Sequence, residues 1–269
     1  MIENRIKTAA VRAAKDAGAK LLEEFSQFDR RQIKLKSHYE ILTKADLLSE
    51  RAIILEISKN FPDHDILSEE SGPLRQSYSE ARDEGIKSEY LWIVDPLDGT
   101  TNFSIHNPLW SVSIAVARQG EIIFGLVFVP FLDELYLAEK GKGATLNGKK
   151  IRVSDIRGER AFHTFCHGVA AKDIRLALKY YQNQKLSQFD CRQLGSAAIE
   201  LGMVAAGRSE SILIPGARSW DVAAGALLAE EAGGRVTDFS GIKWRVGSSD
   251  LLATNGLVHD DILKLVSKI

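Results

Sequence analysis

A chain of 269 residues is long enough for one large domain or two intimately packed ones, and 45% apolar with 26% charged residues is an ordinary globular balance. With 35 Lys and Arg against 36 Asp and Glu, the net charge of −1 offers no electrostatic ground for binding nucleic acid or an anionic membrane. No apolar signal core opens the chain, and the longest apolar run, Ile122 to Leu132, is too short for a bilayer and carries Gly125 and Pro130.

Ile2, Ile6, Ala9, Ala10, Ala13, Ala17, Leu21 and Phe25 recur at helical spacing, which predicts an amphipathic helix over residues 2–28. The basic stretch Arg30 to Lys36 is short, and its alternation predicts the solvent face of a strand over 32–36 rather than a binding patch. Thr43 is suited to cap a second helix, with Leu48, Ala52 and Leu55 on one face and Asn60-Phe-Pro-Asp63 at its end. Asp65–Leu67 reads as a short strand, and residues 73–89, rich in Glu, Arg and Ser, as a solvated loop. Strands follow at 91–94, 110–117, 121–129 and 134–138, with turns at Gly141, Gly143 and Asn147-Gly148, the last a hairpin signal.

The second half predicts a strand near 160–166, a helix carrying Ile174, Leu178 and Tyr181, and a helix of small residues from Leu194 to Ala206. A strand at 211–214, a helix from Trp220 to Ala232 closed by Gly233-Gly234, strands near 235–238 and 251–253, and a terminal helix from His259 complete the chain. Antiparallel strands in succession after helices indicate an α+β fold rather than a doubly wound one. A domain boundary is expected near 145–160, dividing the chain into 1–150 and 151–269. Cys166 and Cys191 make no metal spacing and read as reduced thiols, in keeping with a cytoplasmic protein.

The most informative segment is Leu91-Trp-Ile-Val-Asp-Pro-Leu-Asp-Gly-Thr-Thr-Asn-Phe103. An apolar strand ends in Asp95, Pro96 closes it, Asp98 follows, and Gly99-Thr100-Thr101 opens a short helix. Two carboxylates at a strand end suit a hard divalent cation, and free amides at a helix start suit a phosphate. Asp-Pro and Asp-Gly are also common turn dipeptides, so the segment alone leaves a plain turn open. Three further acids can join it. Glu69 follows a short strand, where a solvated glutamate is the alternative. Asp221 and Asp46 each lie in the first turn of a helix, a place the helix dipole favours for any carboxylate.

Taken together, Leu67-Ser-Glu-Glu-Ser71, Trp92 to Asn102, Leu194-Gly-Ser-Ala-Ala198, and Trp220-Asp221-Val-Ala-Ala-Gly225 with Glu230-Glu-Ala-Gly-Gly234 resemble the inositol monophosphatase family of lithium-sensitive, magnesium-dependent sugar phosphatases. Gly141-Lys-Gly-Ala144 and Asn147-Gly148 match as well, and the motifs run in order along the whole chain. The resemblance implies a layered α-β-α-β-α sandwich and a homodimer. It implies a small phosphorylated metabolite as substrate and two to three magnesium ions per site. Glu69, Asp95 and the Leu97 carbonyl would bind the first ion and Asp95, Asp98 and Asp221 the second, with Glu69 beside a third, weaker site. Asp46 and Thr100, with Glu69, would serve catalysis by preparing a water. The amides of Gly99, Thr100 and Thr101 would hold the phosphate, with Asp98, Gly195 and Ser196 toward the rest of the substrate. Arg218, three residues before Asp221, suits either an anionic group of the substrate or a surface or structural place.

One departure bears on specificity. Seven residues before Asp221, where the family's inositol enzymes carry a glutamate for substrate hydroxyls, this chain has Ile214, which accepts no hydrogen bond. Inositol 1-phosphate or a similar polyol phosphate is the first expectation, and histidinol phosphate the alternative. The resemblance also leaves room for a regulatory binding protein, since one bacterial relative partners the transcription machinery.

Overall fold

The structure, a computed structural model, describes residues 2–35, 41–74 and 88–269, Gln32 by its backbone alone. It opens with α1 (Ile2–Gln27), which buries a stripe of small residues at Ala9, Ala10, Ala13, Ala14 and Ala17. Next, the Asp29 side chain accepts from the Arg31 N–H and caps a single 3-10 turn, Arg30–Gln32. The strand expected over 32–36 is therefore shortened to β1 (Lys34–Leu35), paired antiparallel with β2 (Ile41–Leu42). Its Leu35 is 73% exposed, so the alternation there does not mark a half-buried strand, and Lys36 lies outside the described residues.

Thr43 caps α2 (Lys44–Asn60), which packs along α1. β3 (Asp65–Ser68) and β4 (Gly72–Leu74) form a small antiparallel pair. Most of the loop expected at 73–89 lies outside the described residues, and Pro73 and Leu74 belong to β4. β5 (Tyr90–Asp98) leads into the short α3 (Thr100–Ser104). A meander follows: β6 (Ser111–Arg118), β7 (Glu121–Val129), β8 (Glu134–Glu139), β9 (Gly143–Leu146) and β10 (Lys149–Ile151). Asn147 and Gly148, at φ 49° and 77°, make the two-residue hairpin between β9 and β10, where both central residues must be left-handed. These strands form an eight-stranded sheet, β10-β9-β8-β7-β6-β5-β3-β4, antiparallel except for the parallel β3–β5 pair.

The chain then passes to a second sheet. β11 (Phe162–Phe165), α4 (Ala171–Leu186), β12 (Asp190–Arg192), α5 (Ala197–Ala205), β13 (Ser211–Pro215) and α6 (Ser219–Glu231) follow in order. β14 (Arg235–Thr237), β15 (Asp250–Thr254) and α7 (His259–Val266) end it. The five strands run β12-β11-β13-β15-β14, with β11 parallel to both neighbours and β15 antiparallel to both of its own.

Three apolar cores stack these parts into α-β-α-β-α layers. α1 and α2 cover one face of the large sheet, α5 and α6 fill the space between the sheets, and α4 and α7 cover the far face of the small one. The middle layer explains why α6 shows no amphipathic stripe: Val222 through Ala229 are all buried, as expected of a helix covered on every side. Gly125 lets β7 approach it, since a Cβ there would lie 2.7 Å from the Ala224 carbonyl oxygen. Among the described residues no helix is long and apolar enough to cross a membrane.

Two helices bury faces other than those predicted from apolar residues. In α2 the inward stripe is Ala45, Asp46, Ser49, Glu50, Ile53 and Ile57, while Leu55 is 60% exposed. In α4 it is Ala177, Tyr180 and Gln184, while Leu178 and Tyr181 face outward. Both inner faces carry polar side chains, and counting only apolar residues misplaces such a face.

Candidate active site

The site starts from an irregularity in β5. Pairing with β6 is regular as far as Asp95↔Ser113 and resumes at Asp98↔Ser111, so Pro96 and Leu97 stand opposite the single residue Val112. This is a bulge, a position that tolerates a residue without an N–H to give the ladder. The strand thus does not end at Pro96, as the sequence predicts, but bends and continues. Asp95 and Asp98 consequently border the same cavity of about 440 Å³. Within the bulge the Leu97 N–H donates to Asp95 Oδ1 at 3.0 Å.

Beyond Asp98 the chain turns sharply at Gly99, φ 90°, where a Cβ would lie 2.9 Å from the Leu109 carbonyl oxygen. That turn starts α3, whose first residues, Thr100 and Thr101, border the cavity. Asn102 holds the start of the helix to two loops. Its Nδ2 donates to the carbonyls of Leu109 (2.7 Å) and Leu194 (2.8 Å), and its Oδ1 accepts from Asn107.

The buried polar stripe of α2 braces all of this from below, one helical turn placing Asp46, Ser49 and Glu50 side by side. Asp46 Oδ2 accepts from the N–H and hydroxyl of Thr43, at 2.7 and 2.6 Å, which closes a capping box. Its other oxygen faces the Thr100 hydroxyl at 3.2 Å. Ser49 donates to the Pro96 carbonyl at 2.6 Å, inside the bulge. Glu50 accepts from the Ser68 hydroxyl, the Ser71 N–H and the Ser71 hydroxyl, so it grips the chain on both sides of Glu69. The Glu69 N–H donates to the Val94 carbonyl at 3.1 Å, continuing the β3–β5 ladder to the cavity edge.

Asp221 enters from the other side, on the first turn of α6, where its carboxylate accepts from the Arg218 N–H. Glu69, Asp95, Asp98 and Asp221 therefore converge on one cavity, and none of the described residues lining it is Lys or Arg. Burial, then repulsion from Glu69, Asp98 and Asp221, pushes Asp95 well above the usual carboxylate range. Burial, then Asp98 and Glu69, does the same to Asp221. Asp98 rises only to about 6, because the Ser196 hydroxyl and the amides of Ala198 and Ala197 counter its burial.

Such crowding of carboxylates with a nearby carbonyl suits a hard divalent cation, which takes oxygen ligands and keeps part of its water. Among the described residues no three His, Cys, Asp or Glu side chains are gathered at metal-ligand spacing. The four carboxylates share an open cavity rather than a closed cage.

Leu97, Gly99, Thr100, Thr101 and Gly195 line the cavity with the four acids, and Ile214 does so as well. Asp46 reaches it through Thr100. Ser196, expected to meet the substrate, is fully buried instead: its hydroxyl donates to Asp98 and accepts from the Ile199 N–H as the cap of α5. Arg218 is exposed and borders an adjoining pocket of about 250 Å³ with Glu69, His167, Trp220 and Asp221, its guanidinium 5.6 Å from the centre of the Trp220 ring.

The sequence reading missed Ser49, Glu50, Asn102 and Glu200. The first two stand one helical turn beyond Asp46, a signal that was present. Glu200 was legible as the one charge in the small-residue helix, and Asn102 lay unassigned inside the main motif.

Residues 3–269 match the inositol monophosphatase family. Nus factor SuhB of Pasteurella multocida is 39% identical, over 98% of this chain and 96% of that protein. Inositol-1-monophosphatase of Mesorhizobium japonicum is 36% identical, over 100% of this chain and 98% of the other. Of solved structures, the extragenic suppressor protein SuhB of Bartonella henselae matches with a TM-score of 0.87 at 32% identity, covering 98% of each chain. The inositol monophosphatase of Anabaena matches with a TM-score of 0.82 at 33% identity, covering 100% of this chain and 98% of that one. Matched over nearly its whole length, the chain belongs to the inositol monophosphatase family, which supports its being a phosphatase of sugar phosphates.

Proposed function

We propose that this protein is a magnesium-dependent phosphomonoesterase acting on a small phosphorylated polyol or sugar, with inositol 1-phosphate the first candidate. The observation that carries the reading is the convergence of Glu69, Asp95, Asp98 and Asp221 on the start of α3 in one cavity, with no Lys or Arg lining it among the described residues. Glu69, Asp95 and the Leu97 carbonyl would hold one magnesium ion and Asp95, Asp98 and Asp221 a second, with Glu69 beside a third. Bound there, the ions would polarise the phosphoryl group and stabilise the attacking and leaving oxygens.

The protein's own groups supply the rest. The first N–H groups of a helix have no intrahelical partner, so those of Gly99, Thr100 and Thr101 are available to phosphate oxygens. The Thr100 hydroxyl has one proton and two acceptors in reach, the Leu97 carbonyl at 3.0 Å and Asp46 at 3.2 Å. When it donates to Asp46, its lone pairs are free to accept from a water in the cavity. Asp46, fixed by Thr43, then draws the proton off through Thr100. Orienting a nucleophile and taking its proton contribute typically about 10²–10⁴-fold.

On the leaving-group side Ile214 contributes no hydrogen bond. Arg218, held over Trp220 beside the catalytic cavity, favours a second reading in which the substrate carries another anionic group. The double name of the Thermotoga maritima relative, fructose-1,6-bisphosphatase/inositol-1-monophosphatase, is compatible with either. Histidinol phosphate remains the alternative monoester, and the relatives named Nus factor motivate a regulatory role.

Phosphate release from inositol 1-phosphate, fructose 1,6-bisphosphate, histidinol phosphate and glycerol 2-phosphate, with and without magnesium, separates these. Magnesium-dependent release from at least one is expected, and its identity names the substrate class. Release from none would reject the enzyme and leave the regulatory reading.

A further inference from the structure

We propose that Glu200, on α5, is a positioning residue that sets the leaving-group wall of the cavity by tying two chain segments to a single carboxyl oxygen. Its Oε1 accepts from the Cys166 thiol at 3.0 Å and from the N–H groups of Leu194 and Gly195 at 3.1 Å each. Cys166 leaves β11, and Leu194-Gly195 precedes α5, so the two segments come from separate parts of the chain. Both border the catalytic cavity, as does His167 next to Cys166.

The side chain sits where an apolar residue would be expected. It is fully buried, on a helix whose neighbouring residues are Ala198, Ile199 and Leu201. Burying a carboxyl among apolar neighbours is costly. The compensation is the two amides, which would otherwise be turned inward without acceptors. They belong to a turn with Gly195 at φ 84°, ahead of the first helical residue, so α5 itself cannot satisfy them.

The same turn is held from its other side. The Leu194 carbonyl accepts from Asn102, and a Cβ on Gly99 would lie 3.3 Å from the Gly195 carbonyl oxygen. Glu200 and Asn102 thus clamp it between α5 and α3. Burial raises the Glu200 carboxyl to about 7, opposed first by the Cys166 thiol. A neutral carboxyl retains one acceptor oxygen, which is all the grip requires, so an amide should replace it.

The inference rests on reading the cavity as a phosphate-ester site, and its test has one arm that does not. In Glu200→Leu, amide hydrogen exchange at Leu194 and Gly195 should accelerate while exchange elsewhere in α5 holds, with no substrate involved. With inositol 1-phosphate, Glu200→Leu should raise KM by about tenfold and change kcat by less than about threefold, the split expected when binding shared by the ground and transition states is lost. Glu200→Gln should restore both the exchange rates and KM. Cys166→Ala, which frees only the other segment, should raise KM by a few-fold and leave exchange at Leu194 and Gly195 as it was. Unchanged exchange in Glu200→Leu overturns the clamp. If Glu200→Leu fails to fold, an unchanged KM in Cys166→Ala, or a Glu200→Gln variant with accelerated exchange, overturns it. A wild-type enzyme that releases no phosphate sinks the functional reading, yet leaves the exchange result standing.

Discussion

The two walls of the cavity are held in different ways. On the wall built from α2, β3 and β5 the acids sit beside features fixed by a second side chain: Glu50 grips the residues flanking Glu69, Ser49 holds the bulge between Asp95 and Asp98, and Asp46 is locked by Thr43. The opposite wall consists of turns and single side chains. Cys166 and Gly195 hang from Glu200, Ile214 is apolar, and Arg218 lies in a side pocket. The contrast teaches that, under the proposed reading, the part every phosphate ester shares would meet a network of several mutually braced side chains, and the part that differs between esters would meet a few single residues.

Breaking the acidic wall should have the largest effect. Asp98→Asn keeps the shape and removes the charge, and kcat/KM should fall by at least ~100-fold, the scale on which a charge-stabilising group acts. Near-normal turnover in this variant would reduce Asp98 to a cap for α5. A change on the other wall should alter preference rather than rate. Ile214→Glu should raise kcat/KM for inositol 1-phosphate relative to glycerol 2-phosphate by about tenfold, within the ~1–3 kcal/mol that an unmet hydroxyl partner costs. The magnesium requirement should persist. An unchanged ratio would mean that hydroxyl recognition does not pass through this position.

The smallest effect concerns pH. Asp98 titrates at about 6 in the folded protein against an ordinary 3.8, so the folded state binds its proton more tightly and stability falls as pH rises between those values. Asp95 and Asp221 are raised in the same direction. His163 and His259, lowered by burial to about 4, act oppositely as pH rises toward 6.5. A divalent cation replaces protons on the carboxylates alone, so the difference with and without it isolates them. The gain in Tm on adding magnesium should be a few degrees larger at about pH 8 than at about pH 5. An equal gain at both would place the cation elsewhere.

Much of the acidic wall was legible because strand, turn and helix signals coincide within Leu91–Phe103. What escaped was the bulge: Pro96 reads as a strand end, and only the register with β6 shows the strand resuming at Asp98. The inner face of α2 escaped for a related reason. Asp46, Ser49 and Glu50 are buried because they bond to other segments, and no periodicity of apolar residues reports that. Ser196 was assigned to the substrate by motif, whereas its hydroxyl is engaged by Asp98. The specificity wall was least legible, since it forms from segments far apart in sequence.

The central claim is that these four carboxylates hold divalent cations at the start of α3. Crystals equilibrated with manganese, which accepts the same oxygen ligands, test it through anomalous difference maps. The account predicts at least two peaks in the cavity, with Asp95 between them and Glu69 and Asp221 on opposite sides. Manganese bound only at surface carboxylates, with no peak against Asp95, would contradict it.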